Sequence, residues 1–377
     1  MKKEKITSAG PSITQLEINY VKKAISEGWQ EKRNFFIDKF SKEFSKYLDL
    51  KYCLTTAHCT DAIHLALLSL GIKKGDEVIV PDLTWVASAA PILYTGAIPV
   101  FADIDPVSWC LTAESIERCI TKNTKAVIVV DLLGNMPNWK DILYICKKYK
   151  IRIIEDAAEG IGAKFKNKQA GSFGEVSLFS FNATKLIMSG QGGALCTNDE
   201  KIYKKAKLIS HHGIDINISK KFFWSNVLGY NYNWTNIQAS IALAQLKRIN
   251  ELLKYKKWLF NEYKKELDSI DNISMNRCSK NIKPSYWITS VIINPSYGLV
   301  KEDIIKKFKN ENIDIRPMFY PLSSMPTFKK YIKFKNIRKI NKYSYFIADN
   351  GICLPNGNNL ELRDIKRITK VFKKIIY

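Results

Sequence analysis

Short apolar runs rich in Val, Ile and Phe recur at 77–80, 98–104, 126–131, 151–156 and 176–181, with helical stretches between them. Runs of this length, bounded by turn residues, read as buried parallel strands. The intervening segments carry a different period. Residues 61–70 set Ile63, Ala66, Leu67 and Leu70 on one stripe, and 138–149 do the same with Ile142, Ile145 and Cys146. Such alternation predicts an α/β sheet covered by helices on both faces. The breakers agree: Gly75-Asp76 precedes one strand, Thr95-Gly96 closes a helix before the next, and Gly160, Gly162, Gly171 and Gly174 mark a loop region. A helical run over 235–267 reads as a connector. After Asn272 the pattern changes, with a strand at 287–293 and helices at 301–310 and 360–376. The expected division is a large α/β domain over 1–250 and a small α+β domain over 251–377.

Composition removes several function classes. No apolar run approaches the roughly 18 residues that span a bilayer. The basic stretch 1–5 is not followed by an apolar signal core, so a cytoplasmic protein without membrane insertion is expected. None of the 8 cysteines forms a CxxC pair, which speaks against a disulfide framework or a metal site. The formal net charge of +23 attracts anions. Its lysines, however, are spread in pairs such as Lys147-Lys148 and Lys256-Lys257, as on solvated helix faces. A phosphorylated small molecule fits this charge. Nucleic acid is not expected as a partner, because no recognition motif accompanies the charge.

Four segments carry residues with chemical potential. The strand 151–156 ends in Glu155-Asp156-Ala157-Ala158-Glu159, and the carboxyl end of a parallel strand is where such sheets bind ligands. A carboxylate there can hold a cationic ring nitrogen, although a helix cap after a strand explains it equally simply. The run 177–181 leads to Lys185, followed by Ser189-Gly190-Gln191-Gly192-Gly193. A lysine between a buried strand and a Gly-rich turn has the fixed placement that Schiff-base chemistry needs. In Thr55-Thr56-Ala57-His58-Cys59-Thr60, small and hydroxyl residues open a helix with Thr60 as the expected N-cap. Free N–H groups there can cradle a phosphate. Trp85 follows the end of another strand, where it can pack in the core or stack on a flat ring.

Taken in this order, these segments resemble the DegT/DnrJ/EryC1/StrS family of sugar aminotransferases, which have fold type I of the pyridoxal-phosphate (PLP) enzymes (aspartate aminotransferase-like). The likeness extends over Gly10-Pro11-Ser12, 75–81, 99–105 and Gly229-Tyr230-Asn231-Tyr232-Asn233-Trp234. The resemblance implies PLP as cofactor, Lys185 as its covalent attachment point and proton carrier, and Asp156 as the partner of the pyridine nitrogen. It implies Glu159 beside the ring's 3-hydroxyl, Trp85 stacked on the ring, and Cys59, Thr60 and Ser180 at the phosphate. Asn231 is implied as a phosphate contact supplied by a neighbouring subunit, hence a homodimer with shared sites. Three positions depart from the family: Cys59 where Gly is usual, Gln191 where Glu is common, and Asp131 in place of a His. Family members that are dehydratases carry His where this chain has Lys185.

The segment 315–326 is most similar to perosamine synthase-type members, which aminate C4 of a nucleotide-linked 4-keto-6-deoxy sugar. The implied reaction takes the amino group from L-glutamate to such a keto sugar, for cell-surface polysaccharide or lipopolysaccharide synthesis. His212 matches a segment at the mouth of the sugar site. Arg316 suits bidentate phosphate binding, or is simply a surface residue. A free keto sugar acid such as 8-keto-Kdo as substrate, and a PLP-dependent sugar dehydratase, are the alternatives.

Overall fold

The computed structural model describes residues 4–377. The first three residues of the basic N-terminal stretch lie outside the described residues. The large sheet contains β1 (Tyr52–Thr56), β2 (Glu77–Pro81), β3 (Ile98–Ala102), β4 (Thr124–Val130) and β5 (Arg152–Asp156). A hairpin of β6 (Lys164–Phe165) and β7 (Lys168–Gln169) precedes its last two strands, β8 (Val176–Ser180) and β9 (Gly193–Thr197). The strand order is β1-β9-β8-β5-β4-β2-β3. Strands β8, β5, β4, β2 and β3 run parallel, while β9 lies antiparallel to both β8 and β1.

Alternation along β4 shows why the sheet needs two covers. Val127 and Val129 join one apolar cluster; Ala126, Ile128 and Val130 join the other. All five are fully or nearly fully buried. At about 25 cal/mol per Å² of apolar surface, leaving either face bare would forfeit several kcal/mol from this strand alone. Helix α1 (Gln15–Glu27) starts at Thr14, which is joined to Glu17 in a capping box. Helix α2 (Phe35–Leu48) buries Phe36, Phe40, Phe44 and Leu48 on one stripe. Helix α3 (Cys59–Ser69) is buried along most of its length.

The remaining strands are β10 (Ile273–Met275), β11 (Ile282–Lys283), β12 (Ser290–Ile293), β13 (Arg316–Pro317) and β14 (Gly351–Cys353). Four of them form an antiparallel sheet, β10-β12-β14-β13, while β11 joins the β6–β7 hairpin. The small sheet packs on a third apolar cluster with Phe308, Ile365, Ile368 and Phe372.

The structure adjusts several expected boundaries. The run expected over 235–267 is two helices, Asn236–Lys247 and Ile249–Leu267. They part at Arg248 (φ −101°, ψ 9°), whose guanidinium is held by buried Glu17 at 2.8 Å and by Glu251 at 2.6 Å. Strand β12 begins at Ser290 rather than near Trp287. Two strands of the large sheet have no counterpart in the expectation. Strand β1 is masked by its hydroxyl-rich sequence, and β9 emerges from what reads as a Gly-rich turn. The 8 cysteines are all free thiols, and no metal-binding cluster of His, Cys, Asp or Glu occurs among the described residues. No described helix is long and apolar enough to cross a membrane.

Helix Ile249–Leu267 carries a buried amine. Lys256 is 4% exposed, donates to the backbone carbonyl of Asn356, and is pushed down to about 7 by burial. Between that value and the ordinary lysine value of about 10.4, the unfolded chain binds the extra proton, so stability rises with pH across the window. Below it both states are charged and the desolvation cost is constant. Lys256→Met is therefore expected to flatten the rise between about pH 7 and about pH 10. Urea unfolding across that range is the check; an unchanged slope would contradict a desolvated amine.

Candidate active site

Strand register gathers the reactive groups at one edge. Asp156, the last residue of β5, lies opposite Leu178 of β8, and Ser180, the last residue of β8, lies opposite Gly193 of β9. Thr56, ending β1, also pairs with Gly193, and the chain then turns into α3. Gly193 is required there by close approach: a Cβ would stand 2.5–2.6 Å from backbone atoms of His58 and Cys59. That contact presses β9 against the amino end of α3. The N-cap is His58 rather than Thr60, and the Asp61 carboxylate accepts the His58 N–H at 2.9 Å. Thr60 is the second helical residue, among the first N–H groups, which have no acceptor within their helix. Together with the helix dipole they form a seat for a phosphate.

The carboxylates come from one loop. Asp156 is 3% exposed; its Oδ2 accepts from Ser88 at 2.7 Å and its Oδ1 from the Ala158 N–H at 3.2 Å. Burial raises its pKa, while these hydrogen bonds and Lys185 pull it back. Its hydrogen-bond donors are neutral, so a cationic ring N–H is the group that would complete it. Glu159, 6% exposed, accepts from the Leu133 N–H at 2.9 Å and pairs with the Lys185 Nζ at 3.2 Å. Burial again raises it, with Lys185 as the chief opposing influence.

Lys185 is fixed by its loop. Its N–H donates to the Asn182 carbonyl at 2.9 Å, Ala183 N–H to Gly190 at 2.9 Å, and Ser189 N–H to Phe181 at 2.8 Å. The ammonium lies 3.6 Å from the centroid of the Trp287 ring, whose indole N–H donates to the Thr184 carbonyl at 2.8 Å. The Cys59 thiol reports the convergence. Burial first, then Asp156, Asp61 and Glu159, push it well up, and Lys185 opposes them. A thiol that feels all of these charges lies among them. Amine, two carboxylates and helix N-terminus thus lie close together, and they are the groups a phosphorylated pyridine aldehyde requires. The residues present fit PLP.

The other expected positions fall as follows. Ser180 is buried beside this cluster and its Oγ accepts from the Asn182 N–H at 3.4 Å. Trp85 is 58% exposed, with its ring tilted against Phe319 at 6.1 Å. Asn231 accepts from Asn233 at 2.9 Å, and His212 adopts φ 55° with its N–H on Tyr230, so both bond within their own loop rather than to the Lys185 cluster. The Arg316 Nε donates to Ser8 at 2.9 Å. Gln191 accepts from Asn182 at 3.1 Å. Asp131 is buried against Gly160, whose Cβ would stand 2.7 Å away, and neither of its carboxyl oxygens receives a hydrogen bond. Burial and the adjacent Glu155 and Asp156 charges raise it far above the usual range. Sequence reasoning missed Trp287 and Ser88. Trp287 carries no local signal, since it arrives from the segment between β11 and β12. Ser88 was in principle legible, three residues past Trp85.

The chain was compared with known proteins, and it matches them along nearly its whole length. The model of the DegT/DnrJ/EryC1/StrS aminotransferase family matches residues 11–373. A GDP-perosamine synthase of Vibrio cholerae is 34% identical over 363 residues, 96% of this chain and 97% of that protein. One from Escherichia coli O157:H7 is 37% identical over 86% of this chain and 87% of its own length. Among solved structures, a Streptococcus pneumoniae protein in its PLP form superposes with a TM-score of 0.90 at 24% identity, covering 99% of each chain. From this match across nearly its whole length, the chain belongs to the DegT/DnrJ/EryC1/StrS family and is a PLP-dependent aminotransferase.

Proposed function

We propose that this enzyme moves an amino group from L-glutamate to a nucleotide-linked 4-keto-6-deoxy sugar, in the synthesis of a cell-surface polysaccharide or lipopolysaccharide. The observation that carries the reading is the identity of 34% and 37% with two GDP-perosamine synthases over most of the chain, combined with an intact Lys185–Glu159–Asp156 crevice. Lys185 in place of His disfavours the dehydratase alternative.

Bound PLP supplies an electron sink for the carbanion chemistry. The protein's part follows from the geometry. Asp156 holds the ring nitrogen and keeps it charged. Glu159 faces the ring's hydroxyl and, before the cofactor attaches, orients the Lys185 amine. The amino end of α3, through Cys59 and Thr60, and Ser180 hold the phosphate; at Cys59 the backbone N–H suffices, since the thiol stays neutral. Trp85 offers its ring face for stacking. With the cofactor bound, the Lys185 Nζ would take the proton from the donor's α-carbon, a positioned proton transfer. Residues 1–250 and 251–377 act as the two domains that enclose this site. The active unit is a homodimer in which the partner's loop supplies Asn231 to the phosphate and His212 to the sugar site. Exposed Phe222 (81%), Phe223 (94%) and Leu228 (83%) in that loop favour burial against a second copy.

Lys185→Ala is expected to lose the covalent-cofactor absorbance and to slow turnover by at least about 10²–10⁴-fold; retention of both would remove Lys185 from its role. Mixing Lys185→Ala with Asn231→Ala chains should recover activity absent from either variant alone, because one site of each mixed dimer is intact. No recovery despite subunit exchange would exclude shared sites. For the substrate, 2-oxoglutarate release from L-glutamate is measured with GDP-, dTDP- and UDP-linked 4-keto-6-deoxy sugars and with 8-keto-Kdo. Turnover of 8-keto-Kdo alone would replace the nucleotide-sugar reading.

A further inference from the structure

Helix α3 is apolar and buried at Ala62, Ile63, Leu65, Ala66 and Leu67, and one imidazole stands among them. His64 is 3% exposed. Its Nε2 is buried without a hydrogen-bond partner, and burial lowers its pKa, which keeps the ring neutral. A desolvated ring nitrogen left unpaired is costly, and leucine would fill the same place without that cost. What the imidazole adds is its other nitrogen. Nδ1 shares a hydrogen bond of 3.0 Å with the hydroxyl of Tyr232, 168 residues away.

Tyr232 belongs to the segment 229–234, which is pinned through its backbone. The Tyr230 N–H donates to the Ile209 carbonyl at 2.7 Å, the Tyr232 N–H to Ser210 at 3.1 Å, and the Ala57 N–H to the Tyr232 carbonyl at 3.0 Å. Between the two tyrosines, Asn231 forms an antiparallel bridge with His211. Side chains alternate along such a backbone. Tyr230 and Tyr232 fall on one side, with rings stacked at 5.1 Å and 7°. There the imidazole meets the Tyr230 ring edge-on at 4.9 Å. Asn231 and Asn233 fall on the other side, exposed and joined by a hydrogen bond of 2.9 Å. The backbone bonds fix where the segment lies. The tyrosine stack and its bond to His64 fix its rotation about its own axis, and that rotation aims Asn231.

We infer that His64 is a positioning residue: through Tyr232 it fixes the segment from which Asn231 reaches the cofactor phosphate. The inference rests on the reading above that gives Asn231 this contact, and it names what holds Asn231 in place. It also gives α3 a second task. The amino end of the helix offers N–H groups to a phosphate, and one turn further on His64 steadies the segment that carries Asn231.

The test uses protein loaded with pyridoxamine 5′-phosphate, which cannot bond covalently to Lys185, so its retention reports the non-covalent grip alone. Release is timed by absorbance after free cofactor is removed. Asn231→Ala sets the scale: loss of a hydrogen bond to a charged group predicts release faster by roughly 10- to 100-fold. Tyr232→Phe, which removes one oxygen atom, should speed release roughly 3- to 10-fold. His64→Leu should act alike without lowering the melting temperature, which a merely structural role would not allow. His64→Asn, which keeps a polar atom near the place of Nδ1, should lie nearer wild type. In the Asn231→Ala background His64→Leu should add nothing, since residues acting through one group are not additive. Unchanged release in both Tyr232→Phe and His64→Leu would overturn the inference. So would an undiminished effect of His64→Leu on top of Asn231→Ala, which would place its action in α3 itself. Asn231→Ala separates the two failures. Wild-type release in that variant removes the phosphate contact, and with it the shared-site reading and the inference together. Faster release there, with none in the other two, removes the inference alone.

Discussion

Asp156 is a buried carboxylate whose hydrogen-bond donors are a hydroxyl and a backbone amide. Removing a carboxylate from water costs several kcal/mol unless a cation meets it. In this fold the nearby cation is Lys185, and Glu159 competes for it at 3.2 Å. The site is therefore charge-poor on the side of Asp156 and charge-paired on the side of Glu159. A ring carrying a protonated nitrogen at one end and an aldehyde at the other relieves the first and engages the lysine of the second. The rest of the architecture serves to keep those groups in place. The parallel strands deliver Asp156 and Ser180 to one edge, and the knotted hydrogen bonds of the 181–190 loop hold the lysine backbone.

How much of this was legible in the sequence depends on whether the signal is local. The strands β2 to β5 and β8 were legible because all are buried on both faces and hence continuously apolar. Strand β9 was not, since its entry through Gly190, Gly192 and Gly193 reads as a turn. Gly192 and Gly193 answer to neighbours far away in sequence, Trp234 for the first and the Cys59 backbone for the second. The N-cap was misplaced by two residues because Thr60 has the better capping side chain, whereas the observed cap at His58 is joined to Asp61 instead. Lys185, Asp156 and Glu159 were legible through their place after strands and their joint resemblance to a family. Trp287 lies about a hundred residues from the lysine it touches, and nothing near it in sequence announces the contact.

The departures from the family pattern find physical homes. Cys59 is tolerated because its thiol stays neutral in a crevice rich in carboxylates, adding no further negative charge. Gln191 bridges to Asn182 and so braces the lysine loop. Asp131 sits beside Glu155, whose oxygens already accept from Gly171, Phe173, Gly174 and Ser177. Burial raises both carboxyls, and because the backbone hydrogen bonds that pull Glu155 back are missing at Asp131, Asp131 is pushed far higher.

The helix Ile249–Leu267 has its amino-terminal residues Ile249 and Leu252 in the core of the large sheet, and Leu259, Tyr263 and Leu267 in the core of the small one. Its 19 residues span roughly 28 Å at 1.5 Å per residue. It is a common spar rather than a tether. Thermal melting of one half strips apolar surface from the other, so the two halves are bound into a shared cooperative transition. A chain cut near residue 250 would leave both fragments with raw, adhesive edges.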